Sequence, residues 1–172
     1  ETIVINGDLK HEFSGISRQE WHETLEILDL LLEKAEVILI KGNHDPILEP
    51  IARKKGLEVN DFYCLDSSRI CILHGDKIKI KKEVNKAQIL IIGHEHPAVS
   101  LREGIKSELY KWFLLGIWKG KKLIVMPSFL PLVEGSDIRK EKLLSPYLKN
   151  IRNFDVFVLG DRIYKFGRLK DL

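Results

Sequence analysis

The chain has 172 residues (19.9 kDa), 44% hydrophobic and 31% charged, with a formal net charge of +3; this suits one globular domain with a sizeable core and excludes a disordered chain. No apolar run nears the ~20 residues that span a bilayer, and no signal-peptide pattern opens the chain, although a removed one would leave no trace. Cys64 and Cys71 are too few for a disulfide scaffold, so a cytoplasmic protein is expected, with Cys71 a buried free thiol.

The first predicted strand is Thr2–Asn6. Glu1-Thr2-Ile3-Val4-Ile5 already reads as strand and carries no initiator Met, so upstream sequence, a strand and helix, is expected to be missing. Ser17-Arg18-Gln19-Glu20 fits a capping box, and a helix should follow to about Ala35 with Trp21, Leu25, Leu28 and Leu32 on its core face. Val37–Lys41 is the second strand. A short helix near Pro50–Lys55 would place Pro50 at its first position and Gly56 as its stop. Strands follow near Phe62–Leu65, Arg69–Leu73 and Gln88–Ile92, so the first half alternates strand and helix.

The second half reads as strands Ala98–Arg102, Leu109–Trp118 and Lys121–Met126, the last two joined by a tight turn at Lys119-Gly120. Phe154–Leu159, Gly160-Asp161 and Arg162–Phe166 read as a hairpin. Ser136–Ile151 is charged, and part of it is expected to be a short helix. One domain over residues 1–172, α/β with an antiparallel addition, is the expected organisation.

Charge is unevenly placed. Residues 1–66 carry 7 Lys/Arg against 14 Asp/Glu, while residues 67–172 carry 21 against 11. A basic half can attract a polyanion. Abundant Ile, Lys and Glu lean toward a thermophile.

Four apolar strands end alike. Ile3-Val4-Ile5-Asn6 runs into Gly7-Asp8, and Val37-Ile38-Leu39-Ile40 reaches Gly42-Asn43-His44-Asp45. Ile70-Cys71-Ile72-Leu73 runs into His74-Gly75-Asp76, and Ile89-Leu90-Ile91-Ile92 into Gly93-His94-Glu95-His96. Sites in open α/β sheets form beyond the carboxyl ends of strands, so these loops should converge on one pocket. Its inventory of carboxylate, amide oxygen and imidazoles without thiolate suits Mn2+, Fe2+, Co2+, Ni2+ or Zn2+ and is too nitrogen-rich for Ca2+. Two such ions can clamp a phosphoryl group and turn a bound water into a nucleophile.

Gly7-Asp8, Gly42-Asn43-His44-Asp45, His74 and Gly93-His94-Glu95-His96 resemble the motifs of the calcineurin-like metallophosphoesterases. The stretch through Pro97-Ala98-Val99 is similar to the archaeal and bacterial ICC-like branch, distantly related to SbcD-type nucleases. The resemblance implies an α/β/β/α sandwich, with a mixed sheet parallel in its N-terminal half and antiparallel in its C-terminal half. It implies a dinuclear centre of two divalent ions, Mn2+ foremost. Asp8 would bridge both ions, Asn43, His74 and His94 would complete the second site, and His96 would bind the first. His44 would serve the leaving oxygen and Asp45 would position His44, leaving Glu95 in an outer shell or at the rim.

The family's upstream Asp-x-His motif, which supplies two ligands to the first ion, occurs nowhere in this chain. The implied activity is phosphoester hydrolysis, with phosphodiesters preferred. The alternatives are a nuclease acting on DNA or RNA and a non-catalytic scaffold of the same fold. Further candidates are Ser128 at the pocket rim, His11, Arg102 and Arg139 near phosphate, and the basic segment Lys77–Lys82 along a nucleic-acid backbone. Trp112, Phe113 and Trp118 suit core packing better than base stacking. No membrane partner is expected, and the sequence leaves oligomeric state open.

Overall fold

The structure is a computed structural model that describes residues 1–9, 15–65, 69–103, 106–130, 133 and 135–172. His11 and the side chain of Arg102 lie outside what it describes. The chain forms two compact units, Glu1–Tyr63 with Ile72–His74, and Cys64–Cys71 with Gly75–Leu172.

In the first unit, β1 (Thr2–Asn6) pairs in parallel with β2 (Glu36–Ile40), Asn6 opposite Ile40, and β2 pairs in parallel with β3 (Val59–Asn60). Helix α1 (Arg18–Leu32) makes the crossover between β1 and β2, as a parallel pair requires. Ser17 caps it, its side chain accepting the Glu20 N–H at 3.0 Å. The buried cluster is Leu28, Val37, Leu39, Ile51 and Ala52, with Trp21, Leu25 and Leu31 packed against it. Leu31 rather than Leu32 joins the core, because the buried stripe runs through Thr24 and Leu28 and leaves Leu32 exposed.

Helix α2 spans Leu48–Lys54, two residues earlier than the proline suggests. Pro50 is tolerated there because the first-turn N–H groups have no partner within the helix. The end matches expectation. Leu57 N–H reaches Ala52 O at 3.0 Å and Gly56 N–H reaches Arg53 O at 3.1 Å, with Gly56 at φ 67°, which is a Schellman stop.

The second unit carries β4 (Tyr63–Cys64), β5 (Ile70–Leu73), α3 (Lys82–Lys86), β6 (Ile89–Ile92), β7 (Pro97–Glu103), β8 (Lys106–Trp118), β9 (Lys121–Val125), β10 (Ser136–Asp137), β11 (Asp155–Leu159) and β12 (Ile163–Arg168). Tyr63 and the last residues of β5 group with the first unit. The sheet order is β10-β7-β8-β9-β6-β5-β4, and β11 pairs with β8 and β12. The β6–β9 pair is parallel, whereas β7–β8, β8–β9, β8–β11 and β11–β12 are antiparallel. The mixed α/β character expected from the sequence is present, with one parallel sheet and one mixed sheet.

Lys119 (φ 47°) and Gly120 (φ 80°) make the two-residue turn between β8 and β9, and two positive φ values match the twist of a hairpin. Trp112 is fully buried, and Trp118 packs on Tyr147 with ring centroids 4.7 Å apart, so both are packing residues.

Two expectations are corrected. Residues 136–151 hold no helix; they form β10 and turns in which Lys140 and Glu141 N–H groups both reach Asp137 O. Cys71 is buried but not free, because β4 and β5 are sheet neighbours and bring Cys64 and Cys71 to a Cα–Cα distance of 4.1 Å, where they form a disulfide. Their count in the sequence therefore gives no support to a reducing compartment. No helix among the described residues is long and apolar enough to cross a membrane.

Candidate metal centre

Parallel register explains how the first unit gathers its polar groups. Because Asn6 stands opposite Ile40, the loops that follow β1 and β2 leave the same end of neighbouring strands. Gly7 turns the first loop at φ 79°, and Asp8 follows at φ 53°. Left-handed backbone at an aspartate costs about 1 kcal/mol, so the surroundings must hold it. They do: Asp8 N–H donates to Asp45 Oδ2 at 2.7 Å, and Gly42 N–H donates to the same oxygen at 2.9 Å. Asp45 is fully buried, so two donors satisfy a carboxylate that water does not reach.

The close approach demands glycine. A Cβ at Gly42 would strike Asp8 N and Oδ1, and one at Gly7 would lie 2.9 Å from Gly42 Cα and on the His74 ring.

The Asp8 carboxylate spreads its bonds. Oδ1 accepts the His44 backbone N–H at 2.9 Å, and Oδ2 lies 3.2 Å from His74 Nε2. Burial alone would raise this carboxyl. The His74 hydrogen bond and charge, the His44 N–H and the His44 charge outweigh it and hold the carboxyl below its ordinary range.

His74 is 2% exposed. Its Nδ1 faces Asn6 O at 3.0 Å, and its Nε2 lies 3.0 Å from Asn43 Oδ1. A carbonyl only accepts, so Nδ1 carries the proton. In the neutral ring Nε2 is then a lone pair facing two further oxygen lone pairs, those of Asn43 and Asp8. In that form three lone pairs face one another, an arrangement that a cation would relieve, whereas the protonated ring donates Nε2–H toward Asp8 and supplies the hydrogen bond and charge that lower its carboxyl. One imidazole nitrogen with a carboxylate and an amide oxygen is a set that divalent transition ions accept. The residues fit a metal, and the Asn6 carbonyl orients its ligand as outer-shell partners do.

In the second unit, His94 (φ 61°) and His96 (φ 48°) occupy the loop between β6 and β7. Three of the four non-glycine residues with positive φ among those described are therefore candidate ligands. Glu95, between the two histidines, is 3% exposed, which removes it from the rim. Its Oε2 accepts Leu144 N–H at 3.0 Å and Ser145 N–H at 2.7 Å, and Ser145 Oγ donates to Gly75 O at 2.7 Å. Burial raises the Glu95 carboxyl above its ordinary value, the two amides offset only part of that, and Glu141 adds to it.

Of the other candidates, Arg139 pairs with Asp137. Ser128 offers its carbonyl to Lys111 Nζ at 2.9 Å. Nothing in the sequence marks the Asn6 carbonyl, the Leu144 and Ser145 amides or Lys111. Backbone groups and distant partners have no local signature.

Strand-end loops that bring a carboxylate, an amide and an imidazole together fit a metal-binding protein, and the family match gives its class. The chain belongs to the calcineurin-like phosphoesterase family, whose model matches residues 1–162. It is similar to a probable metallophosphoesterase of Methanocaldococcus jannaschii, 35% identical over 80 residues, which are 41% of this chain and 38% of that protein. The match thus spans less than two-fifths of the relative's length. No solved structure matches the chain.

Proposed function

We propose that this chain is the hydrolytic domain of a metal-dependent phosphodiesterase. The observation that carries the reading is the convergence of His74 Nε2, Asn43 Oδ1 and Asp8 Oδ2 within 3.2 Å of the imidazole nitrogen. Asp8, Asn43, His74 and His94 would hold one divalent ion. Asp8 and His96 would contribute to a second, and Mn2+ is the expected metal. Bound ions of this kind neutralise phosphoryl charge and acidify a water. The chain's own part is positional and protonic. Asp8 and Asn43 sit on the loops after β1 and β2, and the hydrogen bond from His74 Nδ1–H to Asn6 O turns Nε2 toward Asn43 Oδ1 and Asp8 Oδ2.

His44 follows Asn43 directly, and its backbone N–H donates to Asp8 Oδ1 at 2.9 Å, which supports the reading that it would serve the reacting ester. Its imidazole would deliver a proton to the departing alkoxide as the P–O bond breaks, while water supplies the hydroxyl that phosphorus gains. Asp45 supports His44 through the same loop.

The substitution His44→Asn separates these roles. It should lower kcat by ~10²–10⁴, the worth of a general acid, while Mn2+ affinity measured by calorimetry stays nearly unchanged, since His44 would not be a ligand. Full turnover in that variant would remove His44 from the mechanism.

The excess of 21 Lys/Arg over 11 Asp/Glu in residues 67–172 favours a nucleic acid as a second substrate reading. Lys77, Lys81 and Lys82 are exposed. Oligonucleotide affinity should then fall steeply with salt, log K dropping ~0.7–0.9 per phosphate contact for each decade. A flat response sets the nuclease reading aside.

A further inference from the structure

Each unit buries a carboxylate beside candidate ligands and fills it with two backbone amides. In the first unit it is Asp45, which accepts the N–H groups of Asp8 and Gly42. In the second it is Glu95, which lies between His94 and His96 and accepts Leu144 N–H at 3.0 Å and Ser145 N–H at 2.7 Å. The candidate ligands beside them share a conformation: Asp8, His94 and His96 all have positive φ. Such backbone persists in non-glycine residues only where the surroundings overdetermine it.

The histidine loop is held at its middle and its end. Glu95 N–H donates to Gly93 O at 2.7 Å, and His96 O accepts Ser136 N–H at 2.9 Å. The Glu95 side chain is 3% exposed, and a carboxylate is costly to bury unless donors meet it, so packing alone does not account for it. Ser145 supplies the shorter of its two amide contacts and is itself 4% exposed. The Ser145 hydroxyl does a second job, donating to Gly75 O at 2.7 Å. Gly75 lies two residues beyond the end of β5, and a Cβ there would stand 3.0 Å from Ile92 Cβ at the end of β6. One serine thus fastens the chain leaving β5 to the loop leaving β6. Gly75, Ile92, Glu95 and Ser145 all belong to the second unit.

We propose that Ser145 is a positioning residue for His94 and His96, which with Glu95 fixes the loop that carries these candidate ligands. The inference rests on the metal-dependent reading above and deepens it. Ser145 acts through the loop and touches neither metal nor substrate.

Calorimetric titration of the metal-stripped protein with Mn2+ tests this apart from turnover. Ser145→Ala should weaken Mn2+ binding ~10-fold, the lower end of what groups that orient ligands supply. Ser145→Thr keeps the hydroxyl and should recover most of the loss. Glu95→Ala frees the other end of the tie and should weaken binding at least as much. Tyr147→Phe is the control on the same segment: it removes the hydroxyl that accepts Lys79 N–H at 3.2 Å and should keep wild-type affinity. Wild-type affinity in folded Ser145→Ala, a loss that Ser145→Thr does not recover, or an equal loss in Tyr147→Phe overturns the positioning role and leaves the metal-dependent reading standing. A wild-type chain that binds no Mn2+ overturns the two together.

Discussion

The buried carboxylate of Asp45 accepts the backbone N–H of Asp8 at 2.7 Å, so the last residue of one motif holds the candidate ligand of another. The same oxygen takes the Gly42 N–H, and the two loops become one rigid piece. Asp8 can therefore stay at φ 53°, a conformation an isolated aspartate would leave.

Replacing Asp45 by alanine strands the buried Gly42 N–H and the part-buried Asp8 N–H and should cost about 3 kcal/mol in urea denaturation of the metal-free protein, the worth of losing a charged acceptor. Mn2+ affinity should fall with it, by about the 10–100-fold typical of groups that orient ligands. An unchanged affinity would mean that Asp8 keeps its place without Asp45.

Gly42→Ala should be among the most damaging small substitutions. The new methyl group would collide with Asp8 N and Oδ1, and relief requires one of the two loops to shift. Overpacking of this kind costs about 1–3 kcal/mol. Gly56→Ala is the control, because nothing lies within 4 Å of a Cβ there although its φ is +67°. It should lose stability through backbone strain but keep wild-type metal affinity. Equal affinity losses in the two variants would place the effect in the backbone rather than the collision.

Glu95 gives a dependence on pH. Its folded carboxyl is raised, burial being the main cause. A raised acid contributes stability below its unfolded pKa, and that contribution is lost as pH rises through the folded value. In metal-free protein, wild type should therefore lose stability relative to Glu95→Gln as pH climbs out of the ordinary carboxylate range. Glu95→Ala should cost about 1–3 kcal/mol throughout, because the Leu144 and Ser145 amides lose their acceptor. Glutamine keeps one carbonyl for both and should cost less. Parallel pH curves for wild type and Glu95→Gln would contradict the raised pKa.

Much of this is legible in the sequence. The apolar runs Ile3–Ile5, Val37–Ile40 and Ile89–Ile92 announce strands, and a glycine with a polar residue after each announces where chemistry gathers. Ser17 and Lys119-Gly120 carry local turn chemistry, and local chemistry reads directly. The remainder depends on contacts far apart in sequence. Nothing near Glu95 shows that it meets Ser145, 50 residues on. Cys64 and Cys71 are only seven residues apart, yet their bond follows from the β4–β5 pairing. The charged stretch 136–151 looks helical by composition, but Asp137 is spent on turns and on Arg139 and Lys140.

The most direct test of metal-dependent phosphodiester hydrolysis is turnover of bis-p-nitrophenyl phosphate by metal-stripped protein before and after Mn2+ is added. The stripped protein should be inactive and Mn2+ should restore turnover, with Asp8→Asn remaining inactive at the same Mn2+ concentration. Folded protein that binds Mn2+ and still releases no nitrophenol, or stripped protein that is as active as the loaded form, would contradict it.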